Sequence, residues 1–133
     1  MFLLKLFKSC QKYKTGRIRV GGRVVKAIIA DSFIKRLLGL MYVKNLEGGE
    51  CMLFIFSYPA RHGIWMRNMF FSIDVLWADS SGTIIDYVSN ARPCKSFRCR
   101  VFTPSSDAKY IIEARHGFIR EYGLKVGNKI KVY

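Results

Sequence analysis

The fold expected for this chain is decided by residues 61–86, RHGIWMRNMFFSIDVLWADSSGTIID. The segment 73–78 is rich in β-branched and aromatic side chains, which favours a largely buried strand. The next four residues, 79–82, are turn formers, and Gly82 accepts a positive φ. A second β-branched and aromatic run follows at 83–88. The stretch therefore predicts a β-hairpin.

Four side chains in this stretch form the candidate binding site. Trp65, Arg67 and Asn68 set an aromatic ring, a cation and an amide close together, and Asp74 places a carboxylate inside an apolar strand. A buried carboxylate needs hydrogen-bond donors, and the nearest in sequence are Arg67 and Asn68. We therefore predict a pocket lined by Trp65, Arg67, Asn68 and Asp74. Two alternatives stay open: Trp65 is a core or rim aromatic, and Asp74 binds only backbone amides at a strand bend.

Length and composition indicate one domain without a membrane span. The 133 residues are half hydrophobic, yet no apolar run reaches the ~18 residues that span a bilayer. We expect a basic N-terminal extension over residues 1–16 and a single domain over residues 17–133. Lys5 and Lys8 interrupt the apolar start of the chain and no small-residue cleavage site follows, which favours an uncleaved, cytoplasmic protein.

The formal net charge of +14 is unevenly distributed. Residues 1–26 contain eight cations and no acid, and a second acid-free block lies between Asp86 and Asp107. The second block contains Arg92, Lys95, Arg98 and Arg100. Such positive fields attract polyanions, so nucleic-acid binding through these two blocks is an alternative function. Without a base-stacking motif, weak nonspecific association with nucleic acid or an anionic surface is the expected result.

The remaining chain contains further strand and helix signals. Gly21 and Gly22 separate two strand-like runs and indicate a second hairpin. Asp31 or Ser32 caps a short helix that ends near Gly39. Residues 51–56 form an apolar run of strand length, expected to be central in the sheet and to end before Pro59.

Three segments complete the pattern. The pattern predicts an irregular loop at residues 89–106, a strand at residues 109–114 and one helical turn at residues 118–122. Alternating apolar and polar residues then return at the end of the chain. About seven short strands with one or two short helices indicate an α+β, mainly β fold, organised as a single compact domain. A closed or half-open barrel is the natural way to bury such strands.

Six short motifs follow one another along the chain. They are Gly39-Leu40-Met41, residues 52–56, residues 65–68 with 73–76, Pro93-Cys94 with Cys99, residues 110–113 and residues 123–128. Their order resembles that of the domain of unknown function 192 family. The resemblance covers roughly residues 20–133 and implies a small, mostly β domain without an assigned activity. The chain departs from the family pattern at Met69, Ser72 and Asn128, where the family usually has Thr, Pro and Asp.

The four cysteines and two histidines leave several chemistries open. Cys94 and Cys99 are close enough in sequence for a disulfide, while zinc ligation and free thiols are the alternatives. His62 and His116 lack a local ligand set, so we expect no metal and no cofactor. A single Gln among many charged and β-branched residues is compatible with a thermophilic source, in which intracellular disulfides occur.

The preferred functional hypothesis is a noncatalytic or accessory domain that binds a small ligand in the Trp-Arg-Asn-Asp pocket, edged by the Cys94 to Cys99 loop. An enzyme is the alternative from another class, and it requires Asp74 or a cysteine to be activated in the same pocket. A purely structural role for the four side chains is the third hypothesis.

Overall fold

The computed structural model describes Lys5 and residues 8–133, which form a curled, mainly β half-barrel. Seven strands pair in the order β6-β5-β8-β3-β2-β1-β9, and β4 pairs with β7 in a separate ribbon. The fold class expected from the sequence is confirmed. The strands are β1 (Lys14–Val20), β2 (Arg23–Ala30), β3 (Glu50–Ala60), β4 (Ile64–Trp65), β5 (Ile73–Ala78), β6 (Ile84–Ala91), β7 (Val101–Phe102), β8 (Ala108–Arg115) and β9 (Lys131–Val132). Residues 8–10 are helical, and the helices whose full bounds lie within the described residues are α1 (Phe33–Leu38) and α2 (Phe118–Tyr122).

Both predicted hairpins are present. Gly21 and Gly22 join β1 to β2 with φ angles of 58° and 73°, the positive values that a two-residue hairpin turn requires. A longer turn at residues 79–83 joins β5 to β6, with Gly82 at φ of 86° and the Asp79 carboxylate accepting the Ser81 and Thr83 amides. Strand β1 begins at Lys14, inside the predicted N-terminal extension; residues 1–4, 6 and 7 of that extension lie outside the described residues.

Helix α1 lies in the crossover between two parallel strands. Strands β2 and β3 pair in parallel, so the chain must return to the same edge through a long connection. Ser32 begins the helix by accepting the Lys35 amide at 3.2 Å, as predicted. Gly39 ends it with φ of 46°, and a Cβ there would lie 3.1 Å from the Phe54 ring. A glycine at this position therefore lets the end of α1 approach β3 closely.

Strand β3 occupies the centre of the sheet, but the expectation that it ends before Pro59 is wrong. The strand continues to Ala60. Its register with β8 shifts between Ile55 and Ala60, and the residues between them are not paired to β8. Proline is tolerated there because its missing N–H breaks no ladder hydrogen bond.

Alternation along the strands creates two apolar clusters, one on each face of the sheet. Leu53 belongs to the cluster that includes Phe118 of α2, whereas its neighbour Phe54 belongs to the cluster that includes Leu40 and Ile64. One face is thus covered by α2, and the other by the segment after α1 and by the β4–β7 ribbon. The site described below lies on the second face.

Candidate ligand cavity

A cavity of about 230 Å³ lies between α1, the β4–β7 ribbon and the sheet. Its walls are mainly aliphatic and aromatic, and Arg36 and Glu113 are its charged lining side chains among the described residues. Glu113 and Ile111 come from β8, one strand from the sheet centre. The remaining lining residues are Phe33, Leu37, Leu38, Gly39, Leu40, Met41, Phe54, Phe56, Gly63, Ile64, Trp65 and Met69.

Glu113 is a buried carboxyl group without a hydrogen-bond partner among the described residues. It is only 5% exposed, and no hydrogen bond or ion pair joins it to Lys5 or to residues 8–133. Burial raises the pKa of Glu113 to about 8, although the charge of Lys8 acts in the opposite direction. The carboxyl is therefore mostly protonated at neutral pH, and it can then both donate and accept a hydrogen bond.

Arg36 lines the cavity, Lys8 contacts the lining residue Gly39, and each cation donates to other groups of the protein. The Lys8 ammonium donates to the Gly39 carbonyl and to the Tyr13 hydroxyl, and burial lowers the pKa of Lys8 to about 8. Arg36 donates to the Ile55 carbonyl at 3.0 Å and lies over the Phe56 ring. Neither cation forms an ion pair with Glu113.

Of the four residues predicted to form one pocket, Trp65 lines the cavity. Its indole is at the rim, 38% exposed, whereas Trp77 is wholly buried in the core. Arg67 lies over the Trp65 ring with its guanidinium 5.6 Å from the ring centre. Asn68 is not a lining residue, but its side-chain amide contacts the sulfur of Met41, which lines the cavity. The backbone carbonyl of Asn68 accepts the Tyr42 amide.

Asp74 lies on the opposite face of the sheet. Its carboxylate is 1% exposed and accepts the backbone amides of Asn90, Gly117 and Ile119 at 2.9–3.1 Å. Nδ1 of His116 donates to the same carboxylate at 2.9 Å, because a charged carboxylate can only accept. Burial works against the charged form, but these hydrogen bonds outweigh it and hold the pKa of Asp74 below its ordinary value. Asp74 thus ties β6 and the start of α2 to β5.

The sequence contained the signal for Glu113, although the candidate site did not include it. Residues 110–114, YIIEA, carry a lone carboxylate in an apolar strand, which is the same pattern that singled out Asp74. His116 has no comparable signal. Its interaction with Asp74 spans 42 residues and depends on the pairing of β5 with β8.

The cysteines do not supply a reactive thiol to this cavity. The sulfur atoms of Cys94 and Cys99 lie 2.22 Å apart, at disulfide distance. Burial raises the pKa of the Cys51 thiol to about 12, so it stays protonated, and Cys10 is exposed. No cluster of three or more His, Cys, Asp or Glu side chains within Lys5 and residues 8–133 is arranged to hold a metal ion.

No helix in the described part of the chain is long and apolar enough to cross a membrane.

Solved structures with the same fold come from two bacteria. A Sinorhizobium meliloti protein, described as a proposed transcription regulator, superposes with a TM-score of 0.84 at 26% identity, covering 92% of this chain and 96% of that one. A Novosphingobium aromaticivorans protein of unknown function superposes with a TM-score of 0.79 at 21% identity, covering 90% and 84%. The second likeness shows the fold alone.

Sequence relatives come from thermophilic archaea, in agreement with the composition. A UPF0127 protein of Thermococcus kodakarensis is 35% identical over 105 residues, and the match spans 79% of this chain but only 63% of that relative. A UPF0127 protein of Pyrococcus abyssi is 36% identical over 111 residues, spanning 80% of this chain and 85% of that relative. The model of the DUF192 family, described as an uncharacterized conserved group, matches residues 16–132. The chain therefore belongs to the DUF192 family.

Proposed function

We propose that this domain is a noncatalytic or accessory small-molecule-binding domain whose ligand enters the cavity beside α1. The observation that carries the proposal is Glu113, a carboxyl group without a hydrogen-bond partner among the described residues, in an apolar cavity of about 230 Å³. Binding sites for small molecules usually combine apolar walls with a few polar groups that orient the ligand. A ligand with an apolar body and one hydrogen-bonding group fits this arrangement.

The residues predicted from the sequence have different parts in this proposal. Trp65 contacts the ligand at the rim, while Arg67 and Asn68 hold the rim and the wall in place through Trp65 and Met41. Asp74 does not contact the ligand but stabilises the part of the sheet that contains Glu113. Val75, the residue after Asp74, pairs directly with Glu113. The proposal includes the cytoplasmic location expected from the sequence.

The alternatives have less support. Asp74 is saturated by four hydrogen bonds and the cavity receives no thiolate, so neither group offers the activated base or nucleophile that the enzyme hypothesis requires. Nucleic-acid binding is favoured by the charge of +14 and by the description of the Sinorhizobium relative. However, α1 and α2 have six and five residues, too few for a recognition helix that fills a major groove.

The test uses N-phenyl-1-naphthylamine, a neutral apolar probe with one N–H donor whose fluorescence rises in apolar surroundings. We expect saturable binding to the full chain. Leu37→Trp, at the rim and 46% exposed, should obstruct the cavity and weaken binding by about tenfold, a loss of ~1.4 kcal/mol. Val24→Trp is the matched control, because Val24 is 45% exposed and lies on β2 outside the cavity lining. Absence of saturable binding, or equal binding by both variants, would contradict the proposal.

A further inference from the structure

Large apolar side chains are exposed together at one end of the molecule. Strands β4 and β7 place Trp65 directly opposite Val101, so both side chains project from the same face of the ribbon. Trp65 is 38% exposed and Val101 56% exposed. Phe97, in the adjoining Cys94–Cys99 loop, is 83% exposed. We call β4 with the adjoining Arg67, residues 92–100 and β7 the ribbon end.

The loop that carries Phe97 is held against the ribbon. The Cys94 amide donates to the Met66 carbonyl at 3.0 Å, and the backbones of Arg67 and Cys94 pair in an isolated parallel β-bridge. The disulfide closes the loop, and the Arg98 amide donates to the Ser96 hydroxyl inside it. An aromatic side chain on such a closed loop is presented to solvent with little loss of conformational entropy on binding.

The ribbon end is strongly cationic. Arg67 lies over Trp65, and four further cations of the loop region are exposed. None of the five forms an ion pair within the described residues, and no acid occurs between Asp86 and Asp107. The four cations are Arg92, Lys95, Arg98 and Arg100.

We propose that the ribbon end is a docking surface for an anionic lipid bilayer, with Phe97, Val101 and Trp65 entering the headgroup layer and the surrounding cations binding lipid phosphates. Interfacial membrane sites combine indole, phenyl and aliphatic side chains with Lys and Arg in this way. Single-stranded nucleic acid fits less well, because it needs successive flat rings on which bases stack, and Val101 offers none. This surface is distinct from the ligand cavity except for the shared rim residue Trp65, and its docking does not require a ligand.

The experiment compares vesicles of phosphatidylcholine alone with vesicles that also contain phosphatidylglycerol. Binding of the full chain is measured by cosedimentation and by the blue shift of Trp65 fluorescence, to which buried Trp77 contributes little change. We expect binding to the anionic vesicles only, weakening as salt is raised. Lys95→Gln with Arg98→Gln should reduce the partition coefficient by about 30-fold, at roughly fivefold per charge. Phe97→Ser should reduce it by about tenfold.

Matched controls separate this surface from net charge. Lys125→Gln with Lys129→Gln removes the same charge from exposed positions elsewhere, and Val126→Ser removes an exposed apolar side chain, 57% exposed, away from the ribbon end. Both controls should bind nearly as well as the unaltered chain. Equal losses in the control and test pairs, absence of vesicle binding, or tighter binding to a single-stranded oligonucleotide than to anionic vesicles at the same salt would overturn the proposal.

Discussion

The two faces of the sheet each contain one buried carboxyl group, and the pKa values of the two groups are shifted in opposite directions. Asp74 on β5 faces α2, is 1% exposed, and accepts four hydrogen bonds. Glu113 on β8 faces the cavity, is 5% exposed, and accepts none from the described residues. Their strands are neighbours, and Asp74 pairs with Ala114, the residue directly after Glu113. The pKa of Asp74 is nevertheless lowered, while that of Glu113 is raised to about 8.

Burial and hydrogen-bond donors together set the charge of a carboxyl group in this domain: burial raises the pKa of Glu113, whereas donated hydrogen bonds outweigh burial and lower the pKa of Asp74. Backbone amides stabilise the charged form of Asp74, so its carboxylate contributes to the stability of the fold. Glu113 has no such donors within Lys5 and residues 8–133, so its neutral form is favoured and its cost in stability grows with pH. A carboxyl group with a strongly raised pKa at a cavity wall is a candidate binding or catalytic residue.

The largest effect is expected from Asp74→Ala. The substitution leaves the buried amides of Asn90, Gly117 and Ile119 without an acceptor, so the free energy of unfolding should fall by roughly 3–5 kcal/mol. Asp74→Asn should cost less, because one oxygen remains to accept. Denaturant unfolding at pH 7 measures both variants.

Asp79→Ala is the control for Asp74. The Asp79 carboxylate also accepts two backbone amides, from Ser81 and Thr83, but in a solvated turn, so its loss should cost only about 1 kcal/mol. Similar costs for Asp74→Ala and Asp79→Ala would show that the burial of Asp74 adds nothing, and the comparison between the two carboxyl groups would fail.

The second effect is a pH dependence that belongs to Glu113. The folded-state pKa of about 8 lies above the ordinary value of 4.5, so the folded protein binds a proton that the unfolded chain releases. Stability from this group is therefore complete below pH 4.5 and is lost as pH rises towards 8, by roughly 5 kcal/mol in total. Glu113→Gln should remove this decline and be more stable than the unaltered chain at pH 8.

Unfolding free energies measured from pH 5 to pH 8 test the Glu113 prediction. Glu47→Gln serves as the control, because Glu47 is an exposed acid of the same type. A decline of the same size in the unaltered chain and in Glu113→Gln would mean that another group titrates, and Glu113 would then be an ordinary solvated carboxylate.

A smaller effect is expected from His116→Ala. The imidazole is one of four donors to Asp74, and its side chain is 49% exposed, so water can replace it at a cost of about 1 kcal/mol. The loss of this donor should also raise the pKa of Asp74. Since stability from Asp74 is present above its unfolded-state value and lost as pH falls through its folded-state value, acid unfolding of His116→Ala should begin at higher pH. An unchanged acid transition would contradict this role.

Much of the fold could be predicted because its signals are local. Gly21-Gly22 and the turn after β5 each set a hairpin within a few residues, and Ser32 and Gly39 bound α1 in the same way. The end of β3 could not be predicted, because Pro59 is tolerated only through a register shift against β8, a distant strand.

The candidate site was harder to predict, because its contacts are not local. Asp74 and Glu113 have the same sequence signature, a lone carboxylate in an apolar strand. The donors to Asp74 lie 16 to 45 residues away in sequence, so no local pattern shows that Asp74 has partners. The cavity lies on the face of the sheet against which α1 and the β4–β7 ribbon pack. This packing brings Trp65 near Glu113 rather than near Asp74.

The smallest effect concerns Lys8, the cation whose charge acts on Glu113. The Lys8 charge lowers the pKa of Glu113, so Lys8→Met should raise that pKa further and extend the decline in stability to higher pH. The difference from the unaltered chain should stay below about 1 kcal/mol, because the ammonium also donates elsewhere and is not paired directly with the carboxyl. The difference in stability should be confined to pH values at which Lys8 is charged, below its own pKa of about 8.

The Glu113 carboxyl carbon, followed by NMR from pH 5 to pH 9, reports this pKa shift, and Lys12→Met at an exposed position is the control. A Glu113 pKa that falls or stays constant in Lys8→Met would show that the cavity carboxyl is isolated from this cation, and burial alone would then account for its raised pKa.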